Sequence, residues 1–259
     1  MKDLEYDEVY CNDSQTTIPF IDIVTVNGRL KSNINKDHLY CPECKMALLK
    51  FSNRSSLRRA CLSSRKLTDH LLSCSHYYKD ASKEEICTHY EALTTAQIQA
   101  KLQSAINRFL LSPAHPVHPT VPLEIDDNPA ITMIENNGVR ERKRLPTRSL
   151  NKSIYNPESV IYETPILFYG NIKLKTINCV SKKDFSYNKL AICSKNGNPY
   201  CKLFCGYHWD DKTININNDY HIAFIGYYKK NPNSKIPKIE IYANSKQELQ
   251  QSVLYILIQ

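Results

Sequence analysis

Cys41 and Cys44 stand on either side of Pro42 and Glu43 in the tetrapeptide CPEC. Two thiolates at this spacing, held in a tight turn, reach the same Zn²⁺, so the tetrapeptide offers half of a tetrahedral site. The other half is expected in RKLTDHLLSCSHYY, residues 65–78, where His70 and Cys74 are four apart and share one face of a helix. That helix has its local signals: Ser63 or Ser64 as N-cap, Leu67, Leu71 and Leu72 as an apolar side, and no Pro or Gly inside. Cys41, Cys44, His70 and Cys74 are therefore the predicted ligands of one Zn²⁺, with Cys61, His76, Cys87 and His89 as alternatives for the fourth place. A redox pair or two buried thiols is the plainer reading of a lone CxxC. Redox use goes with a βαβ pattern, and none surrounds this one.

A second chemistry lies toward the other end of the chain. The net charge is +8, made of about +2 in residues 1–111, about −1 in 112–164 and about +7 in 165–259. A cationic segment draws polyanions, because phosphate binding releases counterions. Tyr169, Tyr187, Tyr200, Phe204, Tyr207, Trp209, Tyr227 and Tyr228 are interleaved there with Lys173, Lys175, Lys189, Lys202, Lys229 and Lys230. Rings beside lysines suit unpaired bases, each stacked base being worth roughly 1–3 kcal/mol. Alternation along PYCKLFCG puts Cys201, Leu203 and Cys205 on one side of a strand and Tyr200, Lys202 and Phe204 on the other. The second set is the preferred binding face, extended by Lys173, Lys175, Tyr228, Lys229 and Lys230; for each ring singly, core packing competes. Cys193, Cys201, Cys205 and His208 invite a second metal. Cys201 and Cys205 would lie about 13 Å apart along one strand, so buried thiols are the better reading.

No Walker loop, GxSxG or HExxH is present. The sequence is read as non-catalytic, binding single-stranded DNA or RNA. A zinc-containing protein-interaction adaptor and a metal-dependent nuclease are the alternatives. The start, MKDLEYDEVY, is acidic and polar, unlike a targeting peptide, and no apolar run reaches membrane-spanning length. A reducing cytoplasm is the expected location, where ten cysteines serve as metal ligands and buried thiols rather than disulfides.

These residues need elements to hold them. Residues 1–17 carry Asp3, Glu5, Asp7, Glu8 and Asp13 and are expected to form a loose acidic arm. IPFIDIVTVNGRL predicts a strand reaching an Asn27-Gly28 turn, with a partner near His38–Tyr40 that would present the CPEC turn. Ser82 and Glu85 form a capping box for one helix. Thr94 or Thr95 caps the next, whose stripe Ile98, Leu102, Ile106, Leu110 is expected to pack on the zinc module, with partner docking through Ile98, Leu102 and Ile106 as the alternative. SPAHPVHPTVP has four prolines in eleven residues and cannot continue that helix. His115 and His118 within it are read as linker residues. The basic run RERKRLPTR extends the linker. Beyond it, TPILFYGNIKLKTINCV, with a bend at Gly170, and KLAICSK, an Asn196-Gly197 turn and NPYCKLFCG predict strands. YHIAFIGYYKK and KIPKIEIYANS are two more, and Ser245 is expected to cap a final helix, KQELQQSVLYILI. The domains are thus 1–111, a zinc-binding module with a helical part; 112–162, a Pro-rich, basic linker; and 163–259, strands with a C-terminal helix.

Two resemblances bear on this outline. CPEC followed by His70 and His76 resembles the zinc-bearing head of bacterial competence proteins of the CoiA type over about fifty residues, and implies a metal site at Cys41, Cys44, His70 and His76. No acidic-plus-lysine array matches the nuclease part of that family, so only the metal is carried over. The five strands in their order, with KNGNPYCKLFCG resembling the second hairpin of an OB-fold, imply a five-stranded OB-like β-barrel of about 95 residues that binds nucleic acid. The helix common between its third and fourth strands is replaced by the Asp210–Asp219 connector, which keeps a small SH3-like barrel open. The expected class is α+β.

Overall fold

Residues 8–11 of the expected acidic arm form the central strand of the first sheet. The computed structural model describes residues 6–56, 59–110, 128, 130–136, 138–150, 164–180, 186–193, 199–204, 214–229, 238–241 and 254–258. The chain divides into two compact units, Met1–Lys79 and Asp80–Gln259. The boundary falls just ahead of the helical part, rather than at the proline-rich segment. His115, His118, Asn196, Gly197, Cys205, Tyr207, His208, Trp209, Lys230 and residues 210–213 of the Asp210–Asp219 connector lie outside the described residues.

In the first unit β1 (Glu8–Cys11) lies between β2 (Thr16–Pro19) and β3 (Leu39–Tyr40), antiparallel to both. Val9 and Cys11 are buried, which outweighs the acidic residues around them in fixing the segment. The expected strand from Ile18 is broken after β2 by the short helix α1 (Phe20–Ile23) and resumes only as a bridge between Val24 and Leu30. The Asn27-Gly28 turn is present, with Gly28 at φ +70. β4 (Leu49–Ser52) and β5 (Cys61–Ser64) form a separate hairpin. Tyr6, Val9, Ile23, Leu39, Leu49 and Leu62 make the core together with Cys41 and Cys74.

The second unit is α+β and rich in sheet. Helix α2 (Lys83–Glu91) starts at the Ser82–Glu85 capping box, and α3 (Thr95–Phe109) at a Thr94–Gln97 box. Leu102 and Ile106 of α3 are buried in one core with Leu145, Leu167, Tyr169, Ala223 and Ile225, and Ile98 packs against it. The stripe therefore packs on the sheet of its own unit, which corrects its assignment to the zinc module and leaves Leu102 and Ile106 inaccessible to a partner. Within the expected linker, β6 (Ile131–Asn136) and β7 (Val139–Arg144) form a hairpin, and Leu145 enters the core.

The large sheet comprises β8 (Thr147–Ser149), β9 (Ile166–Val180), β10 (Ser186–Cys193), β11 (Pro199–Phe204), β12 (Tyr220–Lys229), β13 (Lys238–Ile241) and β14 (Leu254–Ile258). Its order is β14-β12-β13-β11-β10-β9-β8, and β12 also pairs with β9. The β9–β10–β11 meander is antiparallel, β11 and β13 are parallel over two residue pairs, and β12 is antiparallel to β13, β9 and β14. The expected five strands do not stand alone as a barrel: β8 and β14 add to the sheet, and the β11–β13 link between its two halves spans two residue pairs. The final segment, expected as helix, is a strand over Leu254–Ile258, because β12 offers its YILI run an unpaired flank. Gly170 is needed where β8 approaches β9: a Cβ there would lie 2.6 Å from Cβ of Leu150.

Candidate metal centre

Two loops of the first unit converge on the four residues singled out by their spacing. β3 delivers Cys41, and the chain turns so that the Cys41 amide donates to the Ala47 carbonyl (2.9 Å) and the Lys45 amide to the Cys41 carbonyl (2.9 Å). Lys45 takes the left-handed conformation, φ 55, that closes such a turn. The amide of Cys44 is hydrogen-bonded to the Cys41 sulfur and that of Ala47 to the Cys44 sulfur, so backbone donors already face both sulfurs.

The second pair arrives differently from the expectation. Residues 65–78 are not one helix but two single 3₁₀ turns, Leu67–Asp69 and Ser75–Tyr77, and His70 (ψ 157) and Cys74 (ψ 134) are extended. The physical reason is local. Asp69 closes a capping box on Lys66 that completes one turn, and the Cys74 amide then bonds to the Leu71 carbonyl (2.9 Å). Glu43, between Pro42 and Cys44, accepts a hydrogen bond from the Ser75 amide (2.9 Å) and another from its hydroxyl. The carboxylate thus ties the turn to the arm that carries the other two ligands.

Sγ of Cys41, Cys44 and Cys74 and a ring nitrogen of His70 all lie within 4.8 Å of one another. Cys41 Sγ is 3.8 Å from Cys74 Sγ, and His70 Nδ1 is 3.5 Å from Cys44 Sγ and 3.6 Å from Cys74 Sγ. Cys41, His70 and Cys74 are buried and Cys44 is half-buried. Burial pushes the Cys41 thiol up to about 12, while hydrogen bonds from Cys41 and Cys74 hold Cys44 far below the ordinary thiol range. Hydrogen bonding to those neighbours, followed by burial, raises Cys74. One thiolate held by neighbouring thiol donors is a cluster whose sulfurs can hold a metal ion together.

Of the alternatives for the fourth place, His76 is stacked on Tyr6 with ring centroids 4.4 Å apart. Cys61 lies on β5, and Cys87 and His89 are on α2 in the other unit. Sequence reasoning missed Glu43 and also Tyr6, whose hydroxyl lies 3.1 Å from His70 Nε2. A faint signal existed for the second: Tyr6, Val9 and Cys11 are apolar residues among acids.

The expected nucleic-acid residues are spread over the second unit. Tyr228 is buried, edge-on to Phe168 at 5.2 Å, and is a core ring rather than a stacking platform. Lys173 is taken up by the Ile216–Asp219 turn, donating to the Asn217 carbonyl (2.9 Å) and pairing with Asp219 (3.4 Å). Lys175 is exposed on β9. Tyr200, Lys202 and Phe204 lie on β11, Lys229 ends β12, and Lys230 is outside the described residues. Cys193 is a buried free thiol. Among the described residues no helix is long and apolar enough to cross a membrane. No protein-family model, curated protein or solved structure matches this chain.

Proposed function

We propose that Cys41, Cys44, His70 and Cys74 hold a structural Zn²⁺ and that the larger unit binds single-stranded nucleic acid, without catalysis, on an OB-like sheet. A tetrahedral Zn²⁺ with Zn–S of about 2.3 Å and Zn–N of about 2.0–2.1 Å has S···S edges of roughly 3.8 Å and S···N edges of roughly 3.5 Å. The spacings of 3.8, 3.5 and 3.6 Å support that ion. Four protein ligands fill a tetrahedron, which is the pattern of a structural centre. Three thiolates favour Zn²⁺ over the hard cations.

The nucleic-acid reading rests on the row that the register draws across β9, β10 and β11. Lys175 pairs with Ala191, and Ala191 with Lys202. Residues paired in this way lie in one row across the sheet, so the backbone positions of Lys175 and Lys202 flank that of Ala191 on the two neighbouring strands. An OB-fold binds through the face of its second and third strands, the places of β10 and β11 here. The pairing order β9-β10-β11-β13-β12, with β12 returning to β9 and β11 parallel to β13, resembles that fold.

Titration of a fluorescent oligonucleotide tests this. Binding that weakens steeply from low to moderate salt is expected, with Lys175→Glu and Lys202→Glu each weakening it and lowering the salt slope by about one. No binding at low salt, or binding indifferent to both variants, would sink the reading. A protein-interaction adaptor is the second reading, favoured by Met46, Leu71 and Leu72, which are exposed on the two ligand-bearing loops (62%, 48% and 67%). Salt-insensitive capture of a protein by the first unit would favour it.

A further inference from the structure

We infer that Tyr6 is the positioning residue for the metal ligand His70, and that it couples metal binding to docking of the segment ahead of β1. The inference rests on the metal reading above. Both nitrogens of the His70 imidazole are accounted for: Nδ1 faces the sulfurs of Cys44 (3.5 Å) and Cys74 (3.6 Å), and Nε2 lies 3.1 Å from the Tyr6 hydroxyl. A neutral imidazole offers a lone pair on only one nitrogen. If Nδ1 binds the ion, the proton sits on Nε2 and is donated to the Tyr6 oxygen. The Tyr6 oxygen is the acceptor for that proton and so holds the ring with its Nδ1 lone pair directed at the metal, an orienting part that a carboxylate or carbonyl plays behind other metal-bound histidines.

The surroundings hold the phenol in this place. Tyr6 is 5% exposed, His70 4% and His76 6%. The three rings lie nearly parallel: Tyr6 and His76 are 4.4 Å apart at 26°, His70 and His76 5.6 Å at 27°, and Tyr6 and His70 6.4 Å at 11°. His76 thus packs against both the ligand and its partner, which gives this third histidine a packing role rather than a place on the ion. Tyr6 and His70 are 64 residues apart, so the contact exists only when the segment before β1 is docked.

The test is a double-mutant cycle on the full chain with Tyr6→Phe, His70→Cys and both together. Zn²⁺ affinity is read by competition with a chromophoric chelator, and Co²⁺ is used as a spectroscopic substitute. Tyr6→Phe keeps the ring and its stacking on His76 and removes only the hydroxyl. The expected result is a loss of about 10-fold or more in affinity, the scale of outer-shell partners. In the His70→Cys background, where there is no imidazole to orient, the same change is expected to cost less than about 2-fold. The d–d bands of the Co²⁺ form should also shift in Tyr6→Phe, since the field of the imidazole changes. An unchanged affinity and spectrum in Tyr6→Phe, beside tight binding by the wild type, overturns the role of Tyr6 and leaves the metal reading standing. An equal loss in both backgrounds overturns it too, since the hydroxyl would then be acting through packing. A wild-type protein that takes up neither ion overturns the metal reading itself.

Discussion

At the scale of residues, the metal centre separates what spacing reveals from what only a folded chain can. The four clustered residues are recoverable from CPEC and from a His and Cys four apart, because a set of side chains able to hold an ion shows itself in residue type. Their supports do not: Glu43 reaches Ser75 across 32 residues and Tyr6 reaches His70 across 64, and neither pair has a local signature. Cys41→Ser and Cys74→Ser should each abolish stoichiometric metal in the purified protein, whereas Cys61→Ser and Cys87→Ser should leave it intact. Elemental analysis decides this. Affinity measured by chelator competition should fall as the pH is lowered, since thiols must lose protons to bind. The aromatic residues divide in the same way. Composition cannot tell a ring that meets a ligand from one in a core, and Tyr228 belongs to the core because it is buried on β12 with its ring edge-on to Phe168 of β9.

At the scale of elements, helix ends were easier to recognise than helices. Both capping boxes form where Ser82, Glu85, Thr94 and Gln97 stand, because a cap is a contact three residues long. The helix expected over 65–78 does not form, since the Lys66–Asp69 turn and the Glu43–Ser75 contacts leave His70 and Cys74 in extended backbone, and the leucines that suggested a stripe are exposed at positions 71 and 72. The cap of α2 does a second job. Glu85 also accepts a hydrogen bond from Nζ of Lys143 on β7 at 2.6 Å, with both side chains largely covered (17% and 18% exposed). Lys143→Met should cost about 1–3 kcal/mol in denaturant unfolding, the scale of a charged hydrogen bond. Lys143 holds the Glu85 carboxyl below its ordinary 4.5, so that contribution is present above this value and is lost as the pH falls through the lower, folded one. The Lys143 ammonium is held above 10.5 by Glu85, so its share is lost only as the pH rises through that raised value. The difference between wild type and variant should therefore be flat between about pH 5 and 10 and shrink at either end. Gly170→Ala tests the approach of β8: the added methyl meets Leu150, and a loss of about 1–3 kcal/mol is expected, the usual cost of overpacking.

At the scale of the whole molecule, each of the two units owns a core, one built around the ligand loops and one between α3 and the large sheet. Calorimetry should resolve two transitions, with a chelator lowering the midpoint of one and leaving the other in place; a single transition that moves as a whole would count against this. The class, α+β, was legible in the alternation of strand and helix patterns. The membership of the large sheet was not, because β8 and β14 join it through pairings with β9 and β12 that leave no trace in their own composition. The difference between the units also bears on vectorial synthesis. The first is one uninterrupted stretch ending at Lys79, so every partner its core requires has been translated before the first strand of the large sheet emerges from the ribosome. The second stays incomplete until Leu254–Ile258 follows, since β12 is flanked there by β14. A stalled nascent chain would thus carry a finished small unit ahead of an open sheet edge, and the interval between the two is where aggregation has to be avoided.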